Sequence, residues 1–398
     1  VSDRLLLTFN AGSSTVKIGL FGRVDGRCLR IGKGTIDFRR RPLTFHLTEG
    51  PATADVALAA APDGPIEDVL AETFQWLAQH FDIAAVTAVA HRVVHGGDAY
   101  SQAVLIDDAA LDGITALTPL APLHQPQCVR LIRAIRHLRP ALPQTASFDT
   151  AFHRTQGDVV RRFALPRVLH DAGIKRYGFH GLSYAFIARE LARLAPTAAE
   201  GKVVAAHLGS GASLCALEAG VSRDTSMGFS TLDGIPMATR CGALDPGVIL
   251  YLLEDGTRDL AAVNDILYKQ SGLLGMSGIS ADSRELLASD EQAAREALDV
   301  FAFRIAGEIA RLAATLGGLD AVVFTAGIGE NQPQVRAAVA KRLAWLGLAL
   351  DGRANLANAE VISAAGSHVS AFVIPTDEEQ VIADEAEVVL AQALSSGG

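Results

Sequence analysis

No stretch of this 398-residue chain approaches the ~18 consecutive apolar residues that span a bilayer, so no membrane partner is expected. The opening residues Val1-Ser-Asp-Arg-Leu-Leu-Leu lack the longer apolar core of a secretory signal, and a cytoplasmic location is the simplest expectation. Cysteine is scarce. Cys28, Cys128, Cys215 and Cys241 form no CxxC pair, so the chain is not a disulfide scaffold and four reduced thiols are expected. Positive charge is also in deficit, with a formal net charge of −9. That argues against nucleic acid or an anionic membrane surface as the main partner. An anionic substrate would need arginines, lysines or backbone amides gathered at a few loops.

Several catalytic signatures are missing as well. There is no GxxxxGK[ST], no GxGxxG after a strand, no GxSxG, no HRD/DFG set and no HExxH, which sets aside P-loop, Rossmann, hydrolase-elbow, protein-kinase and zincin chemistry. His91 and His95 are four apart, but on a strand and turn, where that spacing gives no common face for a metal.

What is present points to an α/β chain of two domains, since the length exceeds a single ordinary core. Leu5-Leu-Leu-Thr-Phe-Asn, a small-residue turn and Val16-Lys-Ile-Gly-Leu-Phe21 predict a hairpin. Gly50 to Pro65, rich in Ala, Pro and Asp, reads as a surface connection. Pro65 opens a helix with Ile66, Val69, Leu70, Phe74, Leu77 and Phe81 at helical spacing, and an apolar strand Ala88–Val94 follows. Val203–Leu208, Gly209-Ser-Gly-Ala-Ser and Leu214–Leu217 repeat the strand–turn–strand layout of the N-terminus, a weak internal repeat. A helix is expected from about Glu291 to Leu316, with Ser289 and Gln292 at capping-box spacing and Gly317-Gly318 ending it. The strand Ala321–Ala326 then runs into a third glycine-rich turn at Gly327–Asn331, and a last helix covers about Glu378 to Leu394.

The turns carry the candidate chemistry. At Asn10–Lys17, Gly12 permits close backbone approach, successive N–H groups can form an anion nest, and Ser13, Ser14, Thr15 and Lys17 add donors. Taken alone this loop is as readily an ordinary polar hairpin tip. The second loop, His207–Ser213, makes it one of a pair suited to nucleotide phosphates. Arg92 and Arg240 sit in apolar or small surroundings, where either a buried ion pair or bidentate contact with carboxylate or phosphate is possible. Asp149 and His180 are isolated polar residues in Ser147-Phe-Asp-Thr-Ala-Phe-His153 and Tyr177-Gly-Phe-His-Gly-Leu-Ser183.

In order along the chain stand NAGSST-x-K at Asn10–Lys17, HRVVHGG at His91–Gly97, APLHQP at Ala121–Pro126 and SFDTAFH at Ser147–His153. RYGFHG at Arg176–Gly181, HLGSGAS at His207–Ser213, DTSMGF at Asp224–Phe229 and FTAGIGEN at Phe324–Asn331 follow, with Pro375-Thr-Asp-Glu-Glu379 near the end. Together these resemble the acetate kinase family of short-chain carboxylate kinases, over nearly the whole chain. The resemblance implies duplicated ribonuclease-H-like domains of the sugar kinase and actin superfamily, an active site in the interdomain cleft, and a homodimer. Residues 1–152 with a returning helix 380–398 would form domain I, and residues 153–379 the nucleotide-binding domain II.

The implied reaction is reversible, in-line phosphoryl transfer between ATP and a carboxylate, acetate in the first instance, giving an acyl phosphate and ADP with Mg²⁺ or Mn²⁺. By motif position, Asn10 and Glu378 would place the metal, and Ser13, Thr15 and Lys17 would meet phosphates. Arg92 would hold the carboxylate, Asp149 would act near the metal, and His180 and Arg240 would stabilise the moving phosphoryl group. His207, Leu208, Gly209, Ser210 and Gly211 would form the nucleotide site with Asp282, Ser283, Arg284, Gly327, Ile328, Gly329, Glu330 and Asn331. Val94, Leu123, Phe179 and Thr231 would surround the acyl tail. Relative to the family pattern, Ser210 replaces an Asn, Ser283 a Phe, Thr231 a Pro and Ala243 an Asp.

A small carboxylate is ionised at neutral pH, so this chemistry needs no general base; the obstacle is repulsion between two anions. Asp149 is therefore expected to stay ionised and orient metal-bound water. Two other readings stand beside this one. The first is a propionate or butyrate kinase of the same family. The second is a non-catalytic, actin-like nucleotide-binding regulatory protein, for which Arg92, Asp149, His180 and Arg240 would not be needed together.

Overall fold

The computed structural model describes residues 4–12, 15–24, 27–50, 52–254 and 256–396. It divides into two compact units, Val1–Phe152 with Asp377–Gly398, and His153–Thr376. Residues 377–379 thus go with the first unit rather than the second. The reason is local: Arg30 pairs with Asp377, and the Asn10 amide donates to Glu378 Oε2 at 2.7 Å and Glu379 Oε1 at 2.9 Å.

The strands of the first unit are β1 Leu5–Ala11, β2 Thr15–Val24, β3 Arg27–Asp37, β4 Thr44–Glu49, β5 Ala52–Ala57, β6 Val86–Val93, β7 Val104–Leu105 and β8 Gln144–Phe148. They form one sheet in the order β5-β4-β3-β2-β1-β6-β8-β7. Every residue of β1 is buried, as a central strand covered on both faces requires. Phe9, Ile18, Phe45, Val69, Leu70, Phe74 and Ile135 build the core on one face, with the helices Ile66–His80 and Gln125–Leu138. The helix Glu378–Ser396 packs on the same sheet.

The second unit holds β9 Lys202–Leu208, β10 Ala212–Glu218, β11 Val221–Thr225, β12 Ala321–Thr325 and β13 Ser370–Val373, ordered β11-β10-β9-β12-β13. The long helix Gln292–Leu316 buries Phe301, Ile305, Ile309 and Leu312. Gly317 ends it at φ +66°, a conformation glycine adopts without strain.

Within the first sheet, β3-β2-β1-β6-β8 has the same order and direction as the whole second sheet. In each, the first three strands are antiparallel neighbours and the last two join in parallel. The weak repeat seen in sequence is a duplicated five-strand fold. The hairpins β1–β2 and β9–β10 occupy equivalent places in it.

Three local expectations are corrected. Gly50 to Pro65 is not all connection, because β5 pairs antiparallel with β4 and satisfies its backbone groups in an added hairpin. Ser289 does not cap the long helix; the N-cap is Glu291, without a side-chain cap, and Ser289 Oγ accepts from the Glu291 N–H at 3.2 Å. The segment Ala326–Asn331 is a short helix and not an open turn. Among the described residues no helix is long and apolar enough to cross a membrane.

Candidate active site

The first unit gathers one cluster. Asn10, Arg92 and Asp149 stand at the carboxyl ends of β1, β6 and β8, which run parallel, the end where open α/β sheets bind ligands. Arg92 sits in a bidentate pair with Asp149, Nε to Oδ1 at 2.9 Å and Nη2 to Oδ2 at 2.6 Å. Its Nη1 donates to Asn10 Oδ1 at 3.3 Å and to the Ala11 carbonyl at 3.1 Å. Burial alone would lower the guanidinium pKa, but the charge and hydrogen bonds of Asp149, with the charge of Glu378, raise it above its ordinary value. Both readings of this arginine thus have substance: it forms a buried ion pair, and one of its five N–H donors remains for a ligand. Glu378 and Glu379 enter from the first turn of the helix Glu378–Ser396.

The rest of the predicted first loop is partly visible. The Gly12 N–H donates to the Thr15 carbonyl at 2.8 Å, closing the hairpin tip. Lys17 is exposed and directly opposite Asn10 in the β1–β2 register. Ser13, assigned to phosphate contact, lies outside the described residues, as does Ser14. His91 and His95 are each engaged separately: His91 Nε2 meets Gln144 Oε1 at 2.7 Å, and His95 Nδ1 accepts from the Gly97 N–H at 2.9 Å. Burial lowers the pKa of both to about 4.

The second unit gathers another cluster around β9 and β10. His180 caps the helix Gly181–Leu194 in the left-handed region at φ 58° and ψ 23°, an uncommon conformation outside glycine and a pointer to an enforced side-chain position. Its ring stacks on His207 with centroids 4.2 Å apart and planes at 17°. His180 Nδ1 meets Ser213 Oγ at 2.8 Å, and His207 Nδ1 meets Ser183 Oγ at 2.8 Å. Both Nδ1 atoms are therefore held by hydroxyls. A Cβ on Gly211 would lie 3.4 Å from His180 Nε2 and 3.6 Å from Arg240 Nη2, so this glycine leaves open the space where the two side chains converge. Arg240 is braced by Nη1 donating to the Thr231 carbonyl at 2.9 Å.

The other residues expected at the nucleotide lie on the same unit, several of them at the carboxyl ends of β9 and β12. His207 and Thr325 are register partners where parallel β9 and β12 finish. Leu208 is buried in the core, and the Ser210 carbonyl accepts from the Ala238 N–H at 3.2 Å. Gly327, Ile328, Gly329, Glu330 and Asn331 form the short helix that follows Thr325. Asn331 turns back to the Gly327 carbonyl at 3.0 Å, and Glu330 Oε1 accepts from the Thr376 N–H at 3.2 Å. Asp282 caps the helix Ser283–Ala288 and pairs with exposed Arg284. Ser283 is buried against Gln332, whose Nε2 donates to it at 2.6 Å.

Of the expected acyl-pocket residues, Val94 and Leu123 belong to the first unit, Phe179 and Thr231 to the second. Val94 and Phe179 are fully buried, Thr231 nearly so, and Leu123 is 40% exposed.

Several participants carried no sequence signal strong enough to select them: Glu379 on Asn10, Ser213 and Ser183 on the histidines, and Arg336. The last is fully buried, and its hydrogen-bond partners among the described residues are carbonyls and amides, not carboxylates. It donates to the carbonyls of Gly329, Glu330 and Asn355 and to the side chains of Asn355 and Asn358. Burial lowers its pKa to about 10. It ties the Ala326–Asn331 helix in place. An arginine eight residues after Ile328 has no motif to mark it.

The model of the acetokinase family matches residues 5–384. Acetate kinase of Methylocella silvestris is 46% identical, covering 98% of this chain and 99% of its own. That of Rhodopseudomonas palustris is 47% identical over 95% and 96%. Among solved structures, a propionate kinase from Francisella tularensis superposes with a TM-score of 0.89 at 34% identity, covering 96% of this chain and 98% of its own. Porphyromonas gingivalis acetate kinase gives 0.85 at 32%, covering 97% and 100%.

Proposed function

The chain belongs to the acetokinase family, and from that premise we propose how its residues divide one reaction, reversible phosphoryl transfer between ATP and acetate giving acetyl phosphate and ADP. The observation that carries the reading is the pair of clusters. Each lies at the carboxyl end of parallel strands, one rich in carboxylates and the other in imidazole, hydroxyl and glycine.

The first cluster has the chemistry of a divalent-cation site. Asp149, Asp377, Glu378 and Glu379 stand against Arg30 and Arg92, leaving two formal negative charges and only hard oxygen donors. Among the described residues no three acidic, histidine or cysteine side chains converge to hold a metal by themselves. Asn10 and Glu378 would therefore place Mg²⁺, with Asp149 orienting metal-bound water and the remaining ligands from water and phosphate. When bound, the ion neutralises phosphate charge. Arg92 offers its remaining N–H to the substrate carboxylate, which is already ionised and needs no base.

The second cluster addresses the phosphoryl group. His180 Nε2 and Arg240 Nη2 converge beside Gly211, where charge on the transferred group can be met by preorganised donors. The glycine loop, the Ala326–Asn331 helix and the Asp282–Arg284 turn carry the nucleotide. Lys17 and Thr15 add phosphate contacts from the first hairpin.

A homodimer belongs to the same reading. The helix Pro246–Glu254 has no buried residue. Leu250 and Tyr251 on it are 58% and 71% exposed, and Leu260 on the adjacent helix is 73% exposed. An apolar face of this kind suits a second copy, which sedimentation would detect. The cytoplasm is the compartment that fits a small carboxylate and ATP.

Hydroxamate trapping with ATP and acetate, propionate or butyrate tests the function. Acetate-dependent acyl hydroxamate is expected. ATP hydrolysis indifferent to carboxylate, with no acyl phosphate trapped, would refute it. The likeness to a propionate kinase structure favours propionate as a second substrate. One methylene changes discrimination by only about 1–3 kcal/mol, so slower turnover of propionate is expected.

A further inference from the structure

Behind His180 lies a hydroxyl chain that the phosphoryl-transfer reading does not use. His180 Nδ1 meets Ser213 Oγ at 2.8 Å, and the same Ser213 Oγ meets the Tyr184 phenol at 2.5 Å. Tyr184 and Ser213 are both fully buried, so no bulk solvent enters this chain and each hydroxyl proton is directed by its partners. Tyr184 sits one helical turn beyond His180 on the helix Gly181–Leu194. Its N–H bonds to the His180 carbonyl at 3.1 Å. Ser213 comes from β10, so helix and sheet meet through these three side chains.

We propose that Tyr184, acting through Ser213, is a positioning residue that keeps the neutral His180 imidazole protonated at Nε2. A phenol, with an ordinary pKa near 10, is a stronger donor than an aliphatic alcohol. Tyr184 donates to Ser213 Oγ, and Ser213 passes its single proton toward His180 Nδ1, which accepts. The ring proton then resides on Nε2, the atom beside Gly211 and Arg240. There an N–H donor attracts phosphoryl oxygens, whereas the opposite tautomer would present a lone pair to them. The left-handed backbone at His180 serves the same end, since it fixes where the ring leaves the helix.

The inference rests on the phosphoryl-transfer reading, but its main test does not need turnover. In the full-length protein with ¹⁵N-labelled histidine and no substrate, imidazole shifts distinguish Nε2–H from Nδ1–H. The spectrum of His180→Gln identifies the signal among the eleven histidines. The wild type is expected to show Nε2–H, and Tyr184→Phe a shift toward a mixture of tautomers. Kinetically, Tyr184→Phe should lower kcat about tenfold, the scale of one hydrogen bond, with the KM for ATP and acetate held within about twofold. Ser213→Ala should reproduce both effects, and the double variant should be no worse than Ser213→Ala alone. The Ser213 variant also supplies the test if loss of the phenol oxygen unsettles folding. A wild-type Nδ1–H signal, an unchanged tautomer in both variants, or a KM effect at constant kcat overturns the proposal. Absence of acyl hydroxamate from the wild type would instead overturn the functional reading and leave the tautomer measurement standing.

Discussion

The hairpins β1–β2 and β9–β10 hold the same position in two copies of one five-strand fold, yet the ends of their first strands meet opposite kinds of side chain. Around the first stand Asp149, Glu378 and Glu379, pinned by Arg92 and the Asn10 amide. Around the second stand two stacked histidines, their hydroxyl tethers and Arg240. The two strand ends are topologically equivalent, but the first carries carboxylates and the second imidazoles, hydroxyls and an arginine; in the proposed function the first meets a cation and the second phosphoryl oxygens. An ATP-dependent transfer to a carboxylate needs both, because the reactants are anions that repel.

The division of labour can be broken most severely at Asp149. Asp149→Asn should cut turnover by about a thousandfold, in the range seen when one electrostatic stabiliser is removed, while carboxylate affinity changes much less. Steady-state kinetics with a carboxylate binding measurement checks this; lost carboxylate binding with intact turnover at saturation would assign Asp149 to the substrate instead. The next comparison sets the two arginines against each other. Arg240→Ala should lower kcat about a hundredfold, and Arg92→Ala should mainly raise the carboxylate KM. A reversed pattern would exchange their roles.

Acid should separate the two units themselves. Burial lowers the pKa of His91, His95 and His153 from 6.5 to about 4. Below pH 6.5 the unfolded chain takes up protons that the folded chain refuses, so the stability held above 6.5 is lost as pH falls toward 4. Each group contributes a slope of about 1.4 kcal/mol per pH unit within that window. Two of the three lie in the first unit, which should therefore yield first. Trp76 and Trp345, the only tryptophans, report on one unit each, and Trp→Phe variants make the two acid transitions separable by fluorescence. A first unit outlasting the second would contradict the assignment of these buried imidazoles. The smallest effect is expected at the second hairpin tip. Ser210→Asn restores a longer amide and should lower the ATP KM a few-fold, about the value of one added hydrogen bond.

Both hairpins, the strand carrying Arg92, the long helix and its glycine stop were readable from periodicity and turn residues, which depend on neighbours close in sequence. The ordered motifs located the charged participants. What stayed illegible was long-range or conditional. Nothing near Arg92 reveals that Asp149, 57 residues away, takes its fork, or that Asn10 reaches Glu379 across 369 residues. Ser289 and Gln292 had correct spacing for a capping box, but the helix begins two residues late for it, with Glu291 as its N-cap. The Ala-Pro-Asp composition of Gly50–Pro65 resembles a connection because β5 is an edge strand with four of its six residues exposed. Ser213 lies inside a readable motif, yet its meaning depends on Tyr184, on another element altogether.

The helix Glu378–Ser396 also has a consequence for synthesis. The first sheet's strands leave the ribosome early, but Glu378 and Glu379, which complete the cluster around Asn10, follow more than 360 residues later. During elongation β1, β6 and β8 can pair with Asp149 in place while Glu378 and Glu379 do not yet exist. On the proposed assignment of Glu378 to the metal, the nascent chain would be a scaffold without that ligand and would not consume ATP until this last helix emerges and docks.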